Sequence, residues 1–421
     1  MSAARSLDDW LRIHETVHGQ GIDLGLERVR SVALRMGLLP LPSRSIIVAG
    51  TNGKGSTVAC LEAVVRAIGL KPGAFTSPHL LRYNERIRVD GAEAGDAELI
   101  AAFEAIDAAR GQITLTFFEF NALAALHVFR ARAVDVAILE VGLGGRLDAV
   151  NIVDAEAGIV CSIGLDHADW LGTDIDTIGR EKAGVFRQGA IAVMADPDMT
   201  GAVQREAERV GARPVVAGRD YHWQEEAGEG WRFSMGPLTL SALPMPALPG
   251  RTQLQNAAGA LAALSAMGLL SGGDASAVAR ALRQLQLAGR FQIVPGRVEW
   301  ILDVAHNEPA ARVLAQHLRE RATTGRTLCV AGILGDKDIA AVARELAGAV
   351  DQWFLCGVDA PRGLSAQQLA ARSAVFADAV LAVDVAAGMR LAAAAAQPGD
   401  RIVVCGSFLT VAPAMQQLGL H

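Results

Sequence analysis

The sequence predicts an α/β protein built from two successive parallel-sheet units, and two observations carry that expectation. Short apolar, β-branched runs recur along nearly all of the 421 residues. The first part contains "SIIVA" (45–49), "VDVAILEV" (134–141), "AGIVCSI" (157–163) and "AIAVMA" (190–195). The second part contains "VEWILDVAHN" (298–307), "TLCVAGIL" (327–334), "QWFLCGV" (352–358), "AVLAVD" (379–384) and "RIVVCGSF" (401–408). Continuous apolar runs of this kind suit strands buried on both faces. Longer helical patterns fill most of the intervals, which is the alternation of βαβ units.

The first strand, "SIIVA", runs into a helical stretch beginning near Ser56. Residues 213–243 break the pattern, and their short strands and glycine turns predict a small antiparallel sheet resting on the first unit. A proline-rich connection (243–253) leads to two helical segments that run to about residue 288. A second series begins near Gly289, which places the domains at 1–287 and 288–421.

The composition is that of a globular chain, 51% hydrophobic and 20% charged. A net charge of −6 gives no overall attraction for nucleic acid or an acidic membrane, so any anion must be held by local cations. Cys60, Cys161, Cys329, Cys356 and Cys405 are scattered, odd in number and without a C-x-x-C pair, which predicts buried free thiols in a reducing compartment. The N-terminal "MSAARSLDDWLRIHE" lacks a signal-peptide core, and the longest apolar run, 257–270, is too short to span a bilayer. The expectation is a cytoplasmic protein with no membrane or nucleic-acid partner.

The stretch "AGTNGKGST" (49–57) lies between a strand and a helix, where a phosphate loop belongs. It departs from G-x-x-x-x-G-K-[ST], since Val48 stands where the leading glycine should be and Gly55 follows the lysine. Gly50, Gly53 and Gly55 are expected to permit positive φ and close backbone approach to an anion. Lys54 supplies a point charge, and Ser56 or Thr57 a hydroxyl toward a cation. Glu140 ends the run "VDVAILE", placing a carboxylate at the carboxyl end of a parallel strand, where ligands of such sheets bind.

Further motifs are "IDLGLERV" (22–29), "TSPHLLRYNERI" (76–87), "LTFFE" (115–119), "EVGLGGRLDA" (140–149), "LDHADWLG" (165–172), "IGREKAGVFR" (178–187), "GRFQIV" (289–294), "DVAHN" (303–307), "DKD" (336–338) and "CGSFLTVA" (405–412). With "GTNGKGST" they resemble the folylpolyglutamate synthase/dihydrofolate synthase family of the Mur ligase superfamily, from about Trp10 to Val411. The resemblance implies a P-loop, Mur-ligase-like central domain followed by a smaller Rossmann-like α/β domain. It also implies a reaction: ATP converts a carboxylate into an acyl phosphate, and the amine of L-glutamate displaces phosphate. Such chemistry is largely positioning and neutralisation of anions.

By that resemblance Thr51, Asn52, Gly53, Lys54, Gly55, Ser56, Thr57, Asn256, Arg290 and Asp303 contact ATP. Ser77, Glu140 and His167 hold Mg²⁺, with two metal sites and a monovalent cation expected. Lys54, Lys182, His306 and Ser407 are implied catalytic residues, with Lys182 carried as an N6-carboxylated lysine. From the residues alone, Lys182 also reads as a surface helix lysine paired with Glu181, and Asp303 and Ser407 as caps. The pterin site is implied at Ile22, Asp23, Leu24, Thr76, Thr116, Phe117, Phe118, Glu119, Leu147, Asp148 and Ala149, with Phe118 stacking on the ring and Asp148 accepting from its amino edge. "IDLGLERV" and "LTFFEF" are closest to the bifunctional members, whose substrates are dihydropteroate, reduced folates and L-glutamate; elongation of folates alone is the alternative. Val150, Val304, Glu308 and Leu409 depart from residues usual in that family. The chain is expected to act as a monomer.

Two patterns point elsewhere. "HETVH" (14–18) satisfies H-E-x-x-H, the helical zinc-hydrolase motif. "VGLGG" (141–145) follows a strand like a dinucleotide loop but lacks its third glycine and a helical continuation. A non-enzymatic ATP switch and a peptidoglycan-type ligase complete the alternatives.

Overall fold

The structure is a computed structural model that describes residues 5–19, 22–166, 168–226, 230–247 and 251–420. The first sheet is formed by β1 (Arg44–Ala49), β2 (Pro72–Phe75), β3 (Ile87–Val89), β4 (Ala92–Glu93), β5 (Val136–Glu140), β6 (Ala157–Val160), β7 (Ile191–Met194) and β8 (Arg213–Val216). Its order is β4-β3-β2-β5-β1-β6-β7-β8, parallel from β2 to β8 with an antiparallel edge at β3 and β4. A three-stranded antiparallel sheet follows, made of β9 (Tyr221–Glu226), β10 (Gly230–Met235) and β11 (Leu238–Pro244). The small sheet expected over 213–243 is thus shorter: Arg213–Val216 joins the large sheet, because its partner is β7.

The last sheet contains β12 (Gln292–Val294), β13 (Glu299–Asp303), β14 (Thr327–Ala331), β15 (Gln352–Cys356), β16 (Val380–Ala382) and β17 (Arg401–Cys405). Its order is β12-β13-β17-β14-β15-β16, parallel except for β12.

Strand alternation divides the first unit into two cores. Ile46 and Val48 face the helices Lys54–Ala67 and Arg251–Ala266 and the small sheet's Tyr221, Trp231 and Phe233. Ile47 and Ala49 face the opposite core, with Trp10, Phe103 and Phe120. The last sheet is likewise covered on both sides, by Glu308–Glu320 and Ile339–Leu346 on one and Val385–Ala395 and Phe408–Gln417 on the other.

Register positions the site. β1 pairs with both β5 and β6, setting Val48 opposite Glu140 and Ala49 opposite Val160. The loops that leave these three strands therefore emerge side by side. In the last sheet, Asp303 and Ala331 both pair with Cys405, so the loops after β13, β17 and β14 also emerge together. Ligands of open α/β sheets bind at such carboxyl ends.

Candidate active site

The loop after β1 is shaped by two glycines. Gly50 has φ +150°, and a Cβ there would lie 3.0 Å from Cys161 Cβ and 3.2 Å from Ser162 N. Gly53 begins the helix Lys54–Ala67 with φ +88°, and a Cβ there would lie 2.5 Å from Asn256 Oδ1. Both positions exclude a side chain. Gly55 does not share this constraint: it lies in the first helical turn, and its Cβ would meet nothing closer than Leu287 at 3.8 Å. Lys54 Nζ bonds the carbonyls of Gly50 (2.9 Å) and Thr51 (3.1 Å), folding back over the loop. Of the two hydroxyls, Ser56 lines the cleft, whereas Thr57 is fully buried with Oγ1 3.2 Å from Cys161 Sγ. A ligand-facing hydroxyl at Thr57 is therefore ruled out by the helical phase.

The cleft has a volume of about 770 Å³ and is walled by both units. Thr51, Asn52, Gly53, Lys54, Gly55, Ser56, Ser77, Glu140 and Asn256 line it from the first unit, and Arg290, Asp303, His306 and Ser407 from the second. Polar contacts join the walls. Asn52 and Asn307 exchange amide hydrogen bonds at 3.1 and 3.2 Å, with Asn307 also capping the helix Glu308–Glu320. Asp166 accepts from Lys337 Nζ (2.7 Å) and Asn307 Nδ2 (3.0 Å), and lies 3.6 Å from His306 Nε2. Asp303 accepts from the backbone N–H groups of Phe291 and Ala305, and Ser407 from that of Leu409, so both carry the capping contacts that the residues alone suggested while bordering the cleft.

Two buried ionisable groups, Glu140 and Lys182, stand near the glycine loop. Glu140 is 5% exposed; burial raises its pKa, while Lys54, the Ser77 N–H (3.1 Å) and Arg290 oppose that shift. Lys182, also 5% exposed, donates to Gly50 O at 3.1 Å, and burial together with the Lys54 charge pulls its pKa down to about 7. It borders a small recess of about 10 Å³ shared with Lys54, Gly142 and Asp166. The alternative of a surface lysine paired with Glu181 fails, since Glu181 instead binds Arg146 at 2.8 Å. His167, the remaining expected metal ligand, lies outside the described residues.

The eleven residues expected at the pterin are only partly gathered here. Phe117 lines the cleft; Phe118 packs beneath Gly142, where a Cβ would come within 2.6 Å of its ring, and sits 5.7 Å from Phe75. One face of the Phe118 ring thus lies against the Gly142 backbone; Phe117 and Phe118 are both half-buried, and Phe117 lines the cleft. Thr116 and Glu119 form the capping box of the helix Phe117–Ala131. Arg28 ties Glu119 (3.3 Å) to Asp23 (2.6 Å), drawing the Ile22–Leu24 segment to this helix start. Thr76 Oγ1 bonds Glu85 O and receives Arg88. Asp148 accepts three backbone N–H groups, two on Oδ2 from Gly142 and Leu143 and one on Oδ1 from Val150, which shapes the Leu147–Ala149 turn. Burial raises its pKa to about 6 against those hydrogen bonds.

"HETVH" does not form a metal site. The helix ends at Val17, so His18 turns away and bonds Thr114 and Asp23. His14 is 1% exposed, stacked on Phe120 at 3.8 Å and edge-on to Phe103 at 4.4 Å, and burial lowers its pKa to about 4. The unfolded chain binds this proton below pH 6.5 and the folded chain only below about 4. Stability should therefore fall as pH drops from 6.5 to 4, by up to about 3 kcal/mol from this residue. Urea unfolding of the parent and His14→Leu across that range checks this; equal pH slopes would remove the assignment.

Sequence reasoning named no role for Arg86, His79, Asp166, Lys337 or Arg362, all of which line the cleft. Their signal was present, since Arg86, His79, Asp166 and Lys337 lie within motifs quoted above, but spacing alone does not say which motif residues face a ligand.

Two family descriptions match the chain: "Mur ligase middle domain" over residues 48–264 and "Mur ligase, glutamate ligase domain" over 289–408. With the phosphate-type loop and the two-walled cleft, they define an ATP-dependent, amide-forming ligase of the Mur type. The chain is 44% identical to the dihydrofolate synthase/folylpolyglutamate synthase of Escherichia coli strain K12, over 98% of its own length and 96% of the relative's. The structure of E. coli FolC in complex with DHPP and ADP superimposes with a TM-score of 0.94, covering 100% of this chain and 99% of that one at 44% identity. A bifunctional folylpolyglutamate synthase/dihydrofolate synthase with Mn, AMPPNP and L-glutamate bound superimposes at 0.92, with 45% identity and 100% of both chains covered. The chain belongs to the bifunctional dihydrofolate synthase/folylpolyglutamate synthase family.

Proposed function

We propose that this enzyme adds L-glutamate to dihydropteroate, forming dihydrofolate, and to reduced folates, forming folylpolyglutamates. The observation that carries this reading is the cleft itself: a phosphate-type loop with a strand-end carboxylate on one wall and Arg290, Asp303, His306 and Ser407 on the other. Residues 1–287 would hold nucleotide phosphates and pterin, and 288–421 would bring glutamate. ATP would lie along Thr51–Ser56, with Asn256, Arg290 and Asp303 at its far side; the carboxylate is activated as an acyl phosphate, which the glutamate amine then attacks. His306 and Ser407 are placed by this reading near the incoming amino acid.

The residues fit Mg²⁺. Glu140 is a buried carboxylate beside Lys54, and Ser56 and Ser77 bring neutral oxygens to the same end of the cleft. Mg²⁺ usually keeps several water and phosphate oxygens in its shell, so a few protein oxygens suffice to place it. When bound, it neutralises phosphate charge. Two such ions, with His167 as a ligand, and a monovalent cation belong to the same proposal.

A lysine amine reacts with carbon dioxide only when neutral, and Lys182 is held near neutrality by burial. Carboxylation would turn a buried cation into an anion beside Lys54. Activity in carbon-dioxide-free buffer should drop several-fold and return with bicarbonate; no response to bicarbonate would set the carboxylated form aside. The reading also keeps a cytoplasmic enzyme, in accord with five unpaired, buried thiols, and a monomer, since one chain supplies both walls. No described helix is long and apolar enough to cross a membrane.

The deciding experiment is glutamate-dependent ADP release with dihydropteroate and, separately, with a reduced folate. Release in both is expected. Release with the folate alone would leave elongation as the sole activity, and release without glutamate would favour an ATP switch.

A further inference from the structure

Arg86 is 7% exposed, yet it lines the cleft. Its Nε donates to His79 Nδ1 at 2.7 Å, and its guanidinium lies 5.5 Å over Phe117 and 5.8 Å over Tyr83. Among the described residues no carboxylate comes within ion-pairing distance of it. The neighbouring Glu85 is committed to the backbone N–H groups of Leu80, Leu81 and Arg82, and Glu140 accepts from Ser77 N. A buried cation with no ion-paired acid is costly to the fold: burial works against its charge, opposed only by Tyr83 and by the unpaired, longer-range charges of Glu140 and Glu85. Such a group persists where a ligand supplies the missing anion.

The surroundings define that anion. Phe117 offers an aromatic face directly beneath the guanidinium. Ser77 and His79 flank the cleft at the Glu140 end. Because His79 Nδ1 accepts from Arg86 Nε, the imidazole is neutral and carries its proton on Nε2. The site combines an arene platform with a planar fork of donors, which is what a flat aryl carboxylate requires.

We infer that Arg86, oriented by His79 and Phe117, binds the carboxylate of the acyl substrate and holds it beside the phosphate end of the cleft. This rests on the dihydropteroate reading above. Arg86 supplies the positive charge that lets one anion approach another; it neither gives nor takes a proton.

The test is Arg86→Met in the full-length enzyme. The expected result is a drop of about 100-fold in kcat/KM for dihydropteroate, with ADP affinity within about twofold of the parent. Thermal stability should be unchanged or raised, because an uncompensated cation has been removed. Equal losses of ADP affinity and stability would reveal a merely structural arginine and overturn the inference. A second measurement avoids reliance on that variant folding: binding of dihydropteroate against its carboxamide, with ADP present. The parent should prefer the carboxylate by about 100-fold, Arg86→Lys by about tenfold, and Arg86→Met by less than about threefold. A parent that turns over dihydropteroate but binds both compounds alike defeats the Arg86 assignment alone. A parent that releases no ADP with dihydropteroate defeats the substrate reading instead.

Discussion

Glu140→Gln is expected to lower glutamate-dependent ADP release by about 10³-fold while leaving the fold intact. The side chain keeps its size and its hydrogen bond from the Ser77 N–H but loses its charge. In the folded protein burial raises the Glu140 pKa above the ordinary 4.5. The folded state therefore binds its proton more readily than the unfolded chain. The penalty for the buried charge is absent below about pH 4.5, grows as pH rises above it, and is complete once pH exceeds the raised value. The variant should be at least as stable as the parent in metal-free buffer. In the parent, Mg²⁺ with a non-hydrolysable ATP analogue should raise Tm through preferential binding to the folded state, and this rise should vanish in Glu140→Gln. An undiminished rise, with near-normal turnover, would show that Glu140 holds no cation.

Lys182→Met should lower turnover to a similar degree and remove a pH trend in stability. With its amine free, Lys182 has a pKa of about 7 against an ordinary 10.5. The unfolded chain retains this proton up to about pH 10.5, the folded chain only up to about 7, so stability gained from this group rises between those values. The difference corresponds to a burial cost on the order of 3–5 kcal/mol at or below pH 7. Methionine fills similar space without charge. Its variant should unfold at higher urea than the parent at pH 7, the gap closing towards pH 9.5. The lost hydrogen bond to Gly50 O and any residual cavity reduce this gain. A variant that is both active and no more stable would return Lys182 to an ordinary structural lysine.

The local elements were readable because their signals are contiguous. The strand Arg44–Ala49, its glycine loop and the following helix occupy one stretch, and the apolar alternation that builds them repeats through both units. Local signals decided less where a distant neighbour sets the outcome. Arg213–Val216 resembles a hairpin strand until β7 takes it as a parallel partner. "HETVH" matches a metal motif until the helix stops at Val17 and two phenylalanine rings enclose His14. Phe117 and Phe118 are adjacent in sequence, and helical phase turns Phe117 to the cleft and sets one face of Phe118 against Gly142.

The sequence by itself determined the class of chemistry: a strand, a phosphate-type loop, a strand-end carboxylate and a second α/β unit that resembles a glutamate ligase. The strand, loop and strand-end carboxylate are local in the chain, so spacing encodes them, while the ligase chemistry is what the resemblance of the motifs implies. Only the tertiary structure decided which groups meet. Lys182 bonds a carbonyl 132 positions away, and Asn52 pairs with Asn307 across 255. Sheet order brings these groups together, and burial then sets their charge. Arg86 illustrates the difference: in sequence it is one arginine among many, and only its enclosure without an acid partner, open to the cleft, marks it as a site for an anion.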